Sequence, residues 1–303
     1  MRRVQFIEIH DQPWFPPSLR DGVTDALQFG FNLLNVYAPV VPLLERVLDA
    51  TQSRTDSVPP EHGRSIVDLC SGGAGPWLDL SRRLNRQSLK SGRPKSQDTG
   101  REAPKVDIQI WLTDKYPNLM AFQKAKEASE NCITFYPRSV DAMNVPADLK
   151  GLRTLFTSFH HFPPDEARAI LQNAVDAGEG IGIFEVPRRA PLTIALTFGL
   201  VLLLFCGTPW IRPFRWLRLL WTFLIPIIPL VLLFDGVVSC LRAYSPQELE
   251  EMIAKLAASE RQHQYRWEIG ECGGGISRSP VTYLIGYPMN DPEAASEECV
   301  KAG

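Results

Sequence analysis

"IVDLCSGGAGPW", Ile66–Trp77, joins three unlike pieces. A short apolar run ends in an acid, Asp68. A turn follows that holds Gly72, Gly73 and Gly75. An amphipathic stretch, "WLDLSRRLNRQ", then opens at Trp77. Strand, glycine turn and helix in that order is how a unit of a parallel α/β sheet begins. The glycines let the backbone come close to a ligand, and the helix offers the positive end of its dipole. The same residues would also serve to tighten a turn, and a glycine-rich turn alone is weak evidence of a site.

The pattern repeats downstream. "VDIQIWLTD" is a second strand ending in an acid, Asp114, followed by the helix "NLMAFQKAKEASE". "CITFYPRSVDA" is a third strand and loop, and "LRTLFTSFHHF" a fourth strand with "PPDEARAILQNAVDAG" as its helix. "GIGIFEVP" is a fifth strand. Strands alternating with helices predict a mostly parallel sheet covered on both faces. In "SPQELEEMIAKLAA" Ser245 caps a helix, Pro246 takes its first position and Glu248 completes a capping box. "YRWEIGE" and "VTYLIGYP" alternate as a closing antiparallel pair. Upstream, Ser18 is placed to cap a helix with Leu19, Val23, Leu27 and Phe31 on one face, and a second helix covers Val40–Leu48. The organisation expected is a helical cap over 1–60, an α/β domain over 61–189 and 240–290, an apolar insertion over 190–239 and a polar tail over 291–303. "QSLKSGRPKSQDTGREAPK" is a polar loop inserted before the second strand.

Asp68 at its strand end suits an ammonium group, and Asp114 suits a ribose diol, which offers two donors to one carboxylate. Two strand-end acids in consecutive units point to a nucleoside-type ligand. The turn does not fit the G-x-G-x-x-G dinucleotide fingerprint. It resembles motif I of the class I S-adenosylmethionine (SAM)-dependent methyltransferases: an apolar strand, an acid and a glycine-rich loop. The resemblance extends through "LTDKYPN", "SVDAMNVP", "SFHHF" and "YSPQELEEMI" in order. It implies a Rossmann-like, seven-stranded sheet with an antiparallel last strand, and SAM as methyl donor. It carries cofactor contacts to Asp68, Cys70, Ser71, Gly72, Gly73, Gly75, Asp114, Lys115, Asp141, Ala142 and Ser158. Asp114 would meet the ribose and Asp141 the adenine amine. Cys70 and Ala74 depart from the pattern, standing where glycines are common. The absence of an Asn-Pro-Pro-Tyr-like motif after the fourth strand disfavours N-methylation of nucleic acid or protein.

His160 and His161 are candidate general bases, because imidazole titrates near working pH; packing under the cofactor is the alternative for either one. His10, Asp11, Trp14 and Asp21 form a second polar-aromatic group, read as cap and surface residues or as a lid that would bring His10 and Trp14 to the substrate. With 34 acids against 32 bases, no global field points to nucleic acid. The six cysteines include no C-x-x-C pair, which argues against a zinc site and a disulfide scaffold and for a reduced, cytosolic setting. No metal is expected.

"LTIALTFGLVLLLFCG", Leu192–Gly207, is membrane-grade. No residue between Arg189 and Arg212 is charged, nor any between Arg218 and Asp235. A span needs roughly 20 apolar residues. The first stretch is just long enough; the second, "LLWTFLIPIIPLVLLF", is short and kinked by Pro226 and Pro229. Two spans would put Arg212, Arg215 and Arg218 outside, against the positive-inside tendency. A hairpin lying on or dipping into the cytoplasmic leaflet would keep these arginines and Trp210, Trp216 and Trp221 at headgroup level. A buried helical subdomain is the alternative. The insertion follows the fifth strand, beside the ligand crevice, so Asp235 is a candidate for the pocket entrance. The expected function is methyl transfer from SAM to a lipophilic small molecule or lipid at the membrane. The alternative is a membrane-anchored, non-catalytic binding or scaffold protein of the same fold.

Overall fold

The structure is a computed structural model that describes residues 2–52, 64–90, 108–129, 132–212, 214–257, 265–273 and 280–289. The loop expected before the second strand begins later than read, because its first four residues, 87–90, continue a helix, Trp77–Lys90; its remaining residues and the polar tail lie outside the described residues. Seven strands, β1 (Arg64–Asp68), β2 (Ile108–Leu112), β3 (Ile133–Phe135), β4 (Leu152–Phe156), β5 (Ile181–Glu185), β6 (Tyr265–Cys272) and β7 (Val281–Pro288), form one sheet in the order β3-β2-β1-β4-β5-β7-β6. β1 to β5 are parallel, and β7 runs antiparallel to both β5 and β6. This is the sheet the sequence predicts. Nine α-helices accompany it among the described residues: α1 (Pro17–Leu33), α2 (Val41–Gln52), α3 (Trp77–Lys90), α4 (Leu119–Ala128), α5 (Pro164–Ala177), α6 (Pro191–Gly207), α7 (Trp216–Leu219), α8 (Ile227–Arg242) and α9 (Pro246–Ala254).

The central strands are buried on both faces, so their side chains divide by the two-residue period of a strand. Ile66 and Ile110 face one core with Leu44 and Val47 of α2 and Trp77 and Leu80 of α3. Val67, Leu155 and Ile183 face the other, against Ile170, Leu171 and Ala174 of α5 and Leu249 and Met252 of α9. The capping box of α9 forms as expected, with Ser245 and Glu248 exchanging side-chain-to-backbone hydrogen bonds. The start of α1 differs from expectation. Pro16 takes the cap position and Pro17 the first helical one, and no side chain caps the helix. A proline with preset φ and no N–H to satisfy replaces the serine cap.

The insertion, α6 to α8, builds a third core with α1: Phe15, Leu19, Val23 and Ala26 meet Leu204, Ile211, Ile228, Val231 and Leu232. It is therefore partly core and not a detachable appendage. Its outer surface leaves Leu192, Leu196, Phe198, Leu202, Trp216, Leu217, Leu224 and Leu230 exposed. Among the described residues one helix, Pro191–Trp210, is long and apolar enough to cross a membrane. Two bent pairs qualify only if each is one broken span: Pro17–Leu33 with Ala38–Thr51, and Trp216–Leu224 with Ile227–Arg242, the latter bent by 76°. Arg218 departs from the headgroup expectation. Arg218 is buried and pairs with Asp25 at 2.7 Å, and Arg215 pairs with Asp21 at 3.0 Å. The acids of α1 claim these cations, leaving Arg212 and the tryptophans Trp210 and Trp216 exposed.

Candidate functional site

The strand order reverses between β1 and β4, and ligands of open α/β sheets bind beyond the strand ends at such a point. A cavity of about 440 Å3 lies there. Its floor is the glycine turn, with Cys70, Ser71, Gly72, Gly73 and Gly75 lining it, and Asp114 stands at its edge. Gly72 and Gly75 have φ of +51° and +50°, and a Cβ added at either would meet nothing within 4 Å. The turn is thus a cradle with open space where a ligand's backbone contacts fall. Cys70 and Ala74, the two departures from the family pattern, also adopt left-handed φ of 59° and 80°. The turn keeps the glycine conformation without the glycines and stores strain at the site. Asp114 accepts from the amides of Gly72 at 2.9 Å and Tyr116 at 2.8 Å, which clamps the turn to the end of β2.

Not every predicted contact reaches the cavity. Asp68 is buried beneath the turn, where it accepts from the Ser71 hydroxyl at 2.7 Å and that of Thr154 at 2.8 Å. Burial pushes its carboxyl up to about 7, against the pull of those hydroxyls. Its role here is to shape the turn from below. Lys115 and Asp141 pair with each other at 3.0 Å outside the cavity lining, and Ala142 is a core residue. Ser158 lines the cavity.

The opposite wall is polar, and four segments build it. After β4 the chain turns through a short 3-10 helix, Phe159–His161. Glu185 at the end of β5 fixes that turn. Its carboxylate accepts from the amides of Ser158 and Phe159 at 3.0 and 2.7 Å and holds His160 Nδ1 at 2.6 Å. The N-terminal segment 2–16 lies across it as a strap. Asp235 of α8 accepts from the amides of Ile9 and His10 and from His10 Nδ1, at 2.7, 3.0 and 2.8 Å. Glu8 is buried, 3.5 Å from His160 Nε2 and 3.1 Å from the Ser239 hydroxyl. His161 Nδ1 stands 2.7 Å from Asp11. Burial alone would lower the His160 imidazole, but Glu185 and Glu8 hold it up at about 9. Burial alone would raise the Glu8 carboxyl, but His160 and His161 hold it down at about 2.

His10, Asp11, His160, His161 and Asp235 all line the cavity. Of the N-terminal polar-aromatic group, His10 and Asp11 are the two that reach the cavity. Trp14 is 67% exposed and off the cavity, and Asp21 is engaged by Arg215. Glu8 and Glu185 belong to the site and are missing from the sequence expectations. Glu185 carried a usable signal, being a strand-end acid like Asp68 and Asp114. The remaining wall is apolar: Leu27 and Phe31 of α1, Leu200 and Leu204 of α6 and Leu232 of α8.

No protein-family model matches the sequence, and no curated protein matches it. Solved structures do. The plantazolicin methyltransferase BpumL in complex with SAH aligns over 92% of this chain and 94% of its own, at 9% identity and a TM-score of 0.50. The methyltransferase domain of bacterial CtHen1-CN covers 83% and 99% at 12% identity, with a TM-score of 0.44. The magnesium protoporphyrin IX methyltransferase of Synechocystis PCC 6803 with bound SAM covers 91% and 88% at 10% identity and 0.39. The chain has the Rossmann-like fold of the class I methyltransferases.

Proposed function

We propose that the protein is a SAM-dependent methyltransferase acting on a lipophilic small molecule or lipid at the cytoplasmic face of a membrane. The cradle at Gly72–Gly75 and the carboxylate of Asp114 would hold the donor, whose sulfonium supplies an electrophilic methyl. Transfer is an in-line displacement, so the protein's main task is to place the two reactants and exclude water. Thr157, whose hydroxyl is 2.5 Å from that of Tyr37, and Ser158 line the same cavity. The acceptor would lie between that wall and the apolar side chains of α1, α6 and α8.

One observation carries the lipophilic acceptor. The helices that expose large apolar side chains outward, α6 and α8, also line the cavity with Leu200, Val201, Leu204 and Leu232. A surface that partitions into a leaflet would then be continuous with the acceptor's wall. The test uses SAM carrying an isotopically labelled methyl, a membrane extract, and mass spectrometry of the labelled product. A labelled lipid-soluble product is expected. Replacing the exposed Leu196, Phe198 and Leu202 by serine is expected to release the protein from vesicles and leave SAM binding intact. SAM binding without transfer to any extract component would favour the scaffold alternative. Transfer to a water-soluble acceptor alone would remove the membrane from the reading.

A further inference from the structure

We propose that Glu8, His160 and His161 form a binding site for one divalent first-row transition ion of the zinc class, on the acceptor side of the cavity. Their ligand atoms lie within 4.8 Å of one another. His160 Nε2 is 3.5 Å from Glu8 Oε1, and His161 Nε2 is 3.8 Å from Glu8 Oε2. Two ligands held about 2.1 Å from one ion at a tetrahedral angle stand about 3.4 Å apart. The observed spacings are long for hydrogen bonds and suited to atoms that share an ion.

The burial of that nitrogen supports the site. His160 is buried, and its Nε2 makes no hydrogen bond of ordinary geometry: it faces Glu8 Oε1 only as a long ion pair at 3.5 Å, and an ion bound there would take the place of its proton. A buried polar nitrogen left in that state requires an explanation. Its other nitrogen is held by Glu185 at 2.6 Å, and the other nitrogen of His161 is held by Asp11 at 2.7 Å. A carboxylate behind each imidazole fixes the tautomer and aims the free nitrogen, which is the recurring outer shell of metal-bound histidines. Two imidazoles and one carboxylate suit zinc or iron(II) and are poor ligands for magnesium or calcium. Three protein ligands with one side open to the cavity describe a reactive site and not a structural one. The sequence expectation of no metal rested on cysteine spacing, which is silent about histidine and carboxylate ligands brought from separate segments.

If the methyl-transfer reading above holds, on which this step rests, the ion selects an oxygen acceptor. The ion would take the acceptor's hydroxyl or enol oxygen in its open position and lower that group's pKa. The O–H proton leaves to solvent past Asp11 at the exposed rim. The oxygen's electron pair forms the new C–O bond. The donor's C–S bond breaks with its pair kept on sulfur, which ends as a neutral thioether.

The experiment uses the full chain, stripped with EDTA and dialysed. ZnCl2 is titrated by calorimetry, CoCl2 by visible absorption, and SAM by calorimetry on the same samples. One zinc ion per chain and a visible cobalt spectrum are expected for the wild type. His161→Ala, at the cavity rim, is expected to weaken zinc at least tenfold, and Asp11→Asn by about 10- to 100-fold. SAM affinity is expected to stay within twofold in both. His160 is buried, so His161→Ala is the deciding variant should His160→Ala not fold. Folded, SAM-binding wild type that takes up no zinc overturns the metal site and leaves the methyl-transfer reading standing. Zinc uptake unchanged in His161→Ala also overturns it, and the cluster is then a proton-holding network only. Zinc uptake without SAM binding upholds the site and removes the methyl-transfer reading.

Discussion

The two sides of the cavity are built in opposite ways. The cradle at Cys70–Pro76 is one continuous turn, shaped by its own backbone and by Asp68 and Asp114 directly beside it. The facing wall has no continuous segment. Glu8, His10 and Asp11 come from the strap, His160 and His161 from the turn after β4, Glu185 from β5 and Asp235 from α8. A local device tolerates change in one residue because its neighbours hold the backbone. A wall assembled from distant pieces depends on each tie between them.

The sharpest way to break that contrast is at Asp235. Asp235→Ala leaves three donors of the strap without an acceptor, each a charge-assisted bond worth about 1.5–3 kcal/mol. Methylation of the native acceptor is expected to fall on the order of 100-fold in kcat/KM, with the Kd for SAM changed less than twofold. A matching loss of SAM affinity would show that the two sides are one unit.

On the cradle side, Asp114→Ala removes both the proposed ribose acceptor and the clamp on the Gly72 amide. The Kd for SAM is expected to rise about 10- to 100-fold, from a loss of about 1.5–3 kcal/mol. An unchanged Kd in calorimetry would take Asp114 out of the donor site.

Asp68 sharpens the comparison through pH. Its carboxyl is pushed up from an ordinary 3.8 to about 7, so the folded protein holds this proton more tightly than the unfolded chain. Stability from this group is full below about pH 3.8 and is lost as pH rises through about 7. Asp68→Asn keeps one oxygen acceptor for Ser71 or Thr154, puts an amide donor against the other hydroxyl, and removes the titration. Its melting temperature relative to wild type is expected to climb between pH 5 and pH 8. A difference that stays flat across that window would mean that Asp68 ionises normally.

The smallest effect belongs to Ala74. Ala74→Gly loses a buried methyl, about 0.8 kcal/mol, and relieves a left-handed alanine, about 1–2 kcal/mol. The net change in unfolding free energy is expected within about 1 kcal/mol. The same exchange at Ala174, buried in α5, is expected to cost about 2 kcal/mol, adding helix propensity to the lost methyl. Equal losses at the two sites in denaturant titrations would deny the turn its strain.

The same contrast explains what is legible in the sequence. The sheet can be read because Ile66, Val67 and their counterparts repeat the strand period, and the cradle because its glycines are contiguous. The chance of reading His160 and His161 as site residues came from their position after β4. Of their partners, Asp11 stands in the N-terminal polar group and Glu185 ends a strand, but Glu8 could not be read. Glu8 has no periodicity around it, and its significance exists only where α8 and the turn after β4 reach it. Arg218 reads as a solvated cation beside an apolar run, because nothing local marks Asp25 of α1 as its partner. Ser18 reads as a cap because serine usually is one, and the preceding prolines override it.

The strap's ties have a consequence for how the molecule is made. Ile9 bonds to a residue 226 positions later, and Glu8 to one 231 positions later. Contacts of such sequence separation close last and slowly, since the loop entropy is paid before the contact rewards it. During synthesis the cradle has all its parts once β4, which carries Thr154, has emerged, whereas the strap waits for α8. A nascent chain therefore completes its cradle first and the facing wall only near the end, when the apolar insertion has also left the ribosome. The strap acts as a completion latch: a chain halted before α8 has no facing wall to close.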